Sequence, residues 1–140
     1  MAGGASAAAR LRRLDEKAEI VMVERGDHVS YANCGLPYYA GGSIQDREKL
    51  FVMTPAKFKE TLAVDVRTRT EAVAIDPTAK TVTLLDKTSG KTSVESCDAI
   101  VLSPGAEPVR PPIAGIDHPR IMTLRSVPDI DRIKAVLDEK

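Results

Sequence analysis

Cysteine is scarce in this sequence. The 140-residue chain holds two, Cys34 and Cys97, which lie 63 positions apart. With no second pair nearby, that spacing gives neither a disulfide framework nor a zinc pattern. Histidine is equally scarce, and His28 and His118 are too far apart in sequence to suggest a metal site. Neither sign of charge is in excess, with 20 basic against 20 acidic residues. There is thus no electrostatic reason to expect nucleic acid or an anionic membrane as a partner. No apolar run approaches the roughly 20 residues that span a bilayer. The opening MAGGASAAARLRRL is basic and free of acids until Asp15, a composition shared with transit peptides, but it holds no secretory apolar region. A reducing cytoplasm is the default location for so few thiols. The length suits one domain with a real core.

What is present is an alternation of helical and β-type runs. Residues 4–14 combine Ala, Leu and Arg, all strong helix formers. AEIVMVE, 18–24, is an apolar β-type run ending in an acid, and its IVMV carries no polar alternation, as expected for a strand buried on both faces of a parallel sheet. DAIVLSPGAEP, 98–108, reads as a second buried strand entering a Pro-Gly loop, so 20–24 and 99–102 are expected to share a parallel core. TPAKFKETL, 54–62, is a helix with Thr54 as N-cap and Pro55 in its first turn. Between these, 70–76, 80–86 and 91–96 show partial alternation broken by PTA and KTSG, which predicts an antiparallel three-stranded meander. SVPDIDRIKAVLDEK places Ile130, Ile133 and Leu137 on one helical face. The fold class expected is α/β.

The glycines at the front carry chemistry. Gly4 and Glu24 are twenty positions apart, the spacing between the last glycine of a dinucleotide fingerprint and the acid that binds a ribose hydroxyl. Small residues let the backbone approach a pyrophosphate, and a helix N-terminus offers it N–H groups and partial positive charge. The residues alone fit equally well an Ala-rich helix on a sheet with Glu24 as an ordinary turn acid.

SYANCGLPYY, 30–39, sets Cys34 before a glycine and a proline. If Gly35–Gly41 form a short helix, Cys34 lies at its N-terminus, a place that favours the thiolate, the attacking form of the group. Pro37 is tolerated in a first turn. Cys97 precedes an apolar run and is read as packing. Tyr38 and Tyr39 are read as aromatic core.

AGGASAAARLRRLDE, VERGDHVSYANCGLPYY and VLSPGAEPVRPPIAGID together resemble the single-cysteine branch of the flavin-dependent pyridine nucleotide–disulfide oxidoreductases. Within that branch the coenzyme A–disulfide reductases are the most similar group, and NADH oxidases, NADH peroxidases and persulfide reductases share it. The resemblance implies a Rossmann-like FAD-binding domain portion, residues 1–126, without the first strand and first fingerprint glycine. Residues 127–140 would then be a helix leading towards an NAD(P)H-binding domain. It implies FAD as cofactor and NAD(P)H as co-substrate. Gly3, Gly4 and Ser6 would stand at the pyrophosphate, Glu24 at the ribose with Arg25 beside it, Val73 at the adenine through its backbone, and Ser103, Pro104 and Gly105 in a flavin-side loop. Cys34 would be the redox nucleophile. The two-cysteine relatives use C-x4-C, whereas Val29 and Tyr39 stand five positions either side of Cys34, so its oxidised form is expected to be a mixed disulfide or a sulfenic acid.

The resemblance further places coenzyme A, or another small thiol or disulfide, against Ser6, Arg10, Arg13, Ser30 and Asn33. Arg10 and Arg13 are three apart and share a helical face, and guanidinium groups suit phosphates. A homodimer is implied for the complete enzyme. The function expected is therefore the N-terminal part of an NAD(P)H-dependent reductase of coenzyme A disulfide or a related disulfide or persulfide. The alternatives are an oxidase or peroxidase of the same family, or a truncated chain without catalysis that binds FAD poorly.

Overall fold

The computed structural model describes residues 2–139. Met1 and Lys140, the outer ends of the two expected segments, lie outside the described residues. The chain divides into two compact units. One comprises the chain up to Ser30 together with Met53–Ser103. The other comprises Tyr31–Val52 together with the chain from Pro104 onward.

The first unit opens on helix α1, Ala2–Leu14, followed by strand β1, Ile20–Val23. Helix α3, Pro55–Leu62, leads into β4, Val64–Arg67. β1 and β4 pair in parallel, Ile20 opposite Val64 and Val23 opposite Arg67. The small side chains of α1 have a structural use: Ala5 and Ala8 pack against Ile20, Val29, Phe58 and Val64, which form the core of this unit. Larger residues there would hold the helix off the sheet. α3 starts as its sequence dictates. Thr54 Oγ1 accepts from the Lys57 N–H at 3.2 Å, and Pro55 occupies the first turn, where it lacks no needed donor. The helix stops at Ala63, whose φ of 48° is left-handed.

Arg12 ties these pieces together. Its guanidinium donates to the carbonyls of Leu62 at 2.8 Å and Ala63 at 3.2 Å, the last residue of α3 and its C-cap, and to those of Glu16 at 2.5 Å and Ala18 at 2.7 Å in the loop before β1. One planar five-donor group thus satisfies carbonyls from two separate segments.

The meander is present as expected: β5 Thr70–Asp76, β6 Thr81–Asp86 and β7 Thr92–Ser96 pair antiparallel in the order β5-β6-β7. Arg67 on β4 joins Glu95 on β7 and Asp65 on its own strand, each at 2.9 Å.

The second unit has its own core of Leu36, Leu50, Val127 and Ile130. It holds the short helix α2, Leu36–Ala40, and α4, Val127–Asp138. α4 begins with a capping box between Ser126 and Asp129. Ile130 and Ile133 face the core, but Leu137 is exposed. Where the chain passes between units, the short strands β2, Ser30–Tyr31, and β3, Phe51–Met53, pair.

Four expectations are corrected. Residues 99–102 form no strand among the described residues, and Val101 and Leu102 are 68 and 70 % exposed. The parallel partner of 20–24 is instead β4, because an apolar run becomes a buried strand only when a neighbouring backbone completes its ladder. Cys97 is not a core residue. It is half-buried, its thiol 3.5 Å from the Lys80 carbonyl, in a hollow of about 240 Å³ lined by Ile75, Pro77 and Ile100 among others. Tyr38 is 61 % exposed, while Tyr39 packs against the second core and under Lys134. α1 begins two residues before the expected start. Among the described residues no helix is long and apolar enough to cross a membrane.

Candidate functional site

In the first unit the structure brings Gly3 and Gly4 against Ser103. A methyl group on Gly3 would stand 3.0 Å from Ser103 Oγ, and one on Gly4 3.7 Å from Ser103 Cβ. These glycines lie in the opening turn of α1, a helix of 13 residues with no acid in its first turn and Arg12 and Arg13 in its last. The N–H groups and dipole of such a helix end suit an anion. Ser6 is exposed one turn further on.

Glu24 directly follows β1 and is held by its backbone. Its N–H donates to the Arg67 carbonyl and its carbonyl accepts from the Thr70 N–H, both at 3.0 Å. Its carboxylate accepts from the Gly26 N–H at 2.7 Å. A methyl on Gly26 would come within 3.2 Å of Glu24 Oε1, so a glycine there keeps the acid close. The turn-acid role foreseen for Glu24 is therefore real, and it fixes the carboxylate at the carboxyl end of a parallel strand, where ligands of such sheets bind. Arg25 is exposed beside it.

Val73 falls on a β-bulge. Ala72 faces Leu84 and Ala74 faces Thr83, so the ladder passes over Val73. A bulge leaves the extra residue's backbone unpaired and re-aimed, which is the condition for backbone recognition of a planar base. Alternation in the sequence located the strand but gave no sign of the bulge.

In the second unit Cys34 is exposed, inside a 3-10 turn, Asn33–Gly35. This refines the expected helix: the N-cap of α2 is Gly35, and the helix runs only from Leu36 to Ala40, so Cys34 precedes the cap. The turn is anchored from below. Gly35 is buried, and a methyl on it would meet Leu50 Cδ2 at 3.3 Å and Ala32 Cβ and Ile44 Cδ1 at 3.4 Å. Leu36 is 2 % exposed. The Ala32 N–H donates to the Leu50 carbonyl at 2.8 Å, and the Gly35 N–H to the Ala32 carbonyl at 2.9 Å. A solvent-facing thiol thus sits on a turn whose next two residues are locked in a core. Asn33 beside it is exposed too, as are Pro104 and Gly105.

Arg10 and Arg13 are exposed on α1, and Ser30 is half-buried. Sequence reading overlooked Arg125, whose guanidinium reaches the Gly105–Ala106 loop. Nothing in the linear pattern signals a contact across twenty residues of loop.

At the start of α4, burial pushes the Asp129 carboxyl up, but hydrogen bonds from Ser126 Oγ at 2.6 Å, the Ser126 N–H at 2.8 Å, Arg132 at 2.5 Å and the Arg125 N–H at 3.2 Å outweigh it and hold the group below the ordinary aspartate range. A lowered folded pKa contributes stability above the unfolded pKa and loses it as pH falls through the folded one. Stability from this group should therefore be lost as the pH falls below the ordinary aspartate range, and Asp129→Asn should lessen that slope. Urea unfolding of both proteins across that range measures it. An identical slope in the variant would remove Asp129 from the acid response.

Three comparisons bear on these residues. Residues 2–140 match the family described as pyridine nucleotide-disulphide oxidoreductase. A coenzyme A disulfide reductase from Staphylococcus haemolyticus is 37 % identical over 139 residues, which are 99 % of this chain and 31 % of that protein. The chain thus spans less than a third of that relative's length. The crystal structure of reduced Bacillus anthracis CoADR-RHD superposes with a TM-score of 0.93 at 51 % identity, covering 98 % of this chain and 25 % of that one. An NAD-dependent persulfide reductase from A. fulgidus gives 0.88 at 38 % identity, covering 95 % of this chain and 25 % of its own.

Proposed function

Because the chain belongs to the pyridine nucleotide–disulphide oxidoreductase family, we propose that it is the FAD-binding portion of an NAD(P)H-dependent enzyme that reduces coenzyme A disulfide, or a closely related small disulfide, through Cys34. The observation that carries this is the exposed thiol on a core-anchored turn. Residues 1–126 are read as that FAD portion, and 127–140 as the helix leading on towards an NAD(P)H-binding domain. A cytoplasmic setting and a homodimer complete the reading.

The residues present fit FAD. Gly3, Gly4 and Ser103 form a surface with little side chain at a helix N-terminus, suited to a pyrophosphate. In this reading Glu24 would accept from ribose hydroxyls, Arg25 beside it would supply positive charge, and Val73, at the bulge, would meet the adenine through its backbone. Ser6 would add a hydroxyl to the pyrophosphate, and Pro104 and Gly105 continue the loop from Ser103. When bound, the flavin supplies two electrons, drawn from NAD(P)H, that return a mixed disulfide to two thiolates.

The chain's own part is nucleophilic. The Cys34 thiolate attacks one sulfur of the disulfide, the S–S bond breaks, and the first coenzyme A leaves as its thiolate. Cys34 is left in a mixed disulfide with the second coenzyme A. Exposure lets a large disulfide reach the thiol. In this reading Arg10 and Arg13 would neutralise phosphates, and Ser6, Ser30 and Asn33 would donate hydrogen bonds. The likeness to a persulfide reductase favours a second reading, in which the same thiolate attacks the outer sulfur of a persulfide, the S–S bond breaks, and the remaining thiol leaves as its thiolate.

The flavin assignment is tested at Glu24. In the full-length enzyme Glu24→Ala should weaken FAD binding by about 1.5–3 kcal/mol, the worth of a hydrogen bond to a charged group, or roughly tenfold to a hundredfold. Glu24→Gln, which keeps an acceptor for the Gly26 N–H, separates the ribose contact from the turn. FAD retention on dilution reads both. Full retention by Glu24→Ala would show that the acid serves the turn alone.

A further inference from the structure

We propose that Arg125 is a positioning residue that fixes the shape of the Pro104–Ala106 loop, an inference that, for its effect on cofactor binding, rests on the flavin reading above. Arg125 is far from Cys34 and from the glycines in sequence, yet two contacts place it under this loop. Its Nε donates to the Ala106 carbonyl. Its Nη2 lies 2.5 Å from where a side-chain carbon on Gly105 would be. Gly105 has a φ of +78°, a conformation that glycine adopts without cost. Glycine is thus required twice over, once by its backbone and once by the guanidinium that fills its side-chain space.

Arg125 is itself held at both ends of its backbone. Its N–H donates to Asp129 Oδ2 at 3.2 Å, within the capping box of α4. Its carbonyl accepts from the Tyr31 hydroxyl at 3.3 Å. Tyr31 ends β2, three residues before Cys34. The second unit therefore contains a continuous strut, from the segment that presents the thiol, through Arg125, to the Gly105 loop. A flexible loop pays ordering entropy each time it binds a ligand, whereas one already fixed does not. Arg125 supplies that fixing from outside the ligand contacts, and a lysine could replace the single hydrogen bond but not the planar group that fills the space over Gly105.

The test uses Arg125→Ala, Arg125→Lys, Gly105→Ala and the double variant Gly105→Ala/Arg125→Ala. In the 140-residue chain, backbone 15N relaxation at Gly105 and Ala106 should fall from rigid order parameters near ~0.85 to below ~0.6 in Arg125→Ala, with Arg125→Lys between them. Helix α4 should stay rigid in all. Gly105→Ala should lower the melting midpoint more with Arg125 present than with alanine there, because removing the guanidinium relieves the steric part of the damage. In the full-length enzyme Arg125→Ala should weaken FAD binding by about tenfold, the scale of one immobilised segment. Unchanged order parameters, or equal melting losses in both backgrounds, would overturn the clamp. A loosened loop with undiminished FAD affinity would overturn its positioning role. Failure of the unmutated full-length protein to bind FAD would instead sink the flavin reading, while the relaxation data still decide the clamp.

Discussion

Replacing Cys34 with serine in the full-length enzyme is expected to abolish disulfide reduction while leaving FAD bound. Serine is nearly isosteric, and the side chain it replaces faces solvent, so the 3-10 turn and the packing of Gly35 and Leu36 beneath it should survive. A hydroxyl cannot form a mixed disulfide and is not ionised at neutral pH, so the attacking group itself is lost. The contrast is Cys97→Ser. Cys97 lies beside Lys80 and Asp98 at the turn end of the meander, in the other unit from Cys34, and its exchange should leave turnover close to that of the parent. Both variants belong in one assay, with coenzyme A disulfide and then hydrogen peroxide as oxidants. Disulfide turnover surviving in Cys34→Ser would remove the nucleophile role. Peroxide turnover without disulfide turnover in the unmutated enzyme would move the protein to the oxidase and peroxidase side of its family.

The parts of this fold legible in the sequence are those fixed by local chemistry. Thr54-Pro55 marks a helix start because a side-chain oxygen meets an orphan N–H within one turn. The meander announced itself by alternation and its turns. The strand expected at 99–102 failed because apolar composition records what a segment can bury, not whether another backbone lies beside it. β4 was overlooked for the converse reason. VDVR alternates and is short, so nothing in it advertises a parallel partner, and its place is set by Ala63 turning left-handed after α3. The same division holds at the site. Cys34, Gly4 and Glu24 stand out by motif and spacing. Arg12 and Arg125 do not, since each acts through carbonyls of segments distant in sequence, and a charged residue in a helix or loop reads as solvated. The two arginines selected for phosphates, Arg10 and Arg13, flank the one that the fold uses internally.

The largest stability effect is expected at the core beneath the thiol. Leu50 is fully buried among Leu36, Val127 and Ile130, and its carbonyl accepts from the Ala32 N–H at 2.8 Å. Leu50→Ala should cost about 2–5 kcal/mol, the transfer of the lost methyl groups plus the cavity they leave. That cavity opens directly under Gly35, because Leu50 Cδ2 is the atom that a Gly35 side chain would meet first, at 3.3 Å. Two consequences distinguish this from a generic core loss. Gly35→Ala alone should destabilise, since Leu50, Ala32 and Ile44 would each have to give way. In the Leu50→Ala background the same change should be neutral or stabilising, because the new methyl partly fills the space vacated. Urea unfolding of the four proteins closes the cycle, and a coupling of about 1 kcal/mol or more is the expected result for residues in direct contact. Additive losses would mean that Leu50 does not form the floor of the Cys34 turn. A Leu50→Ala cost below about 1 kcal/mol would mean that the core collapses around the gap, and the thiol would then owe its position to the 3-10 turn alone.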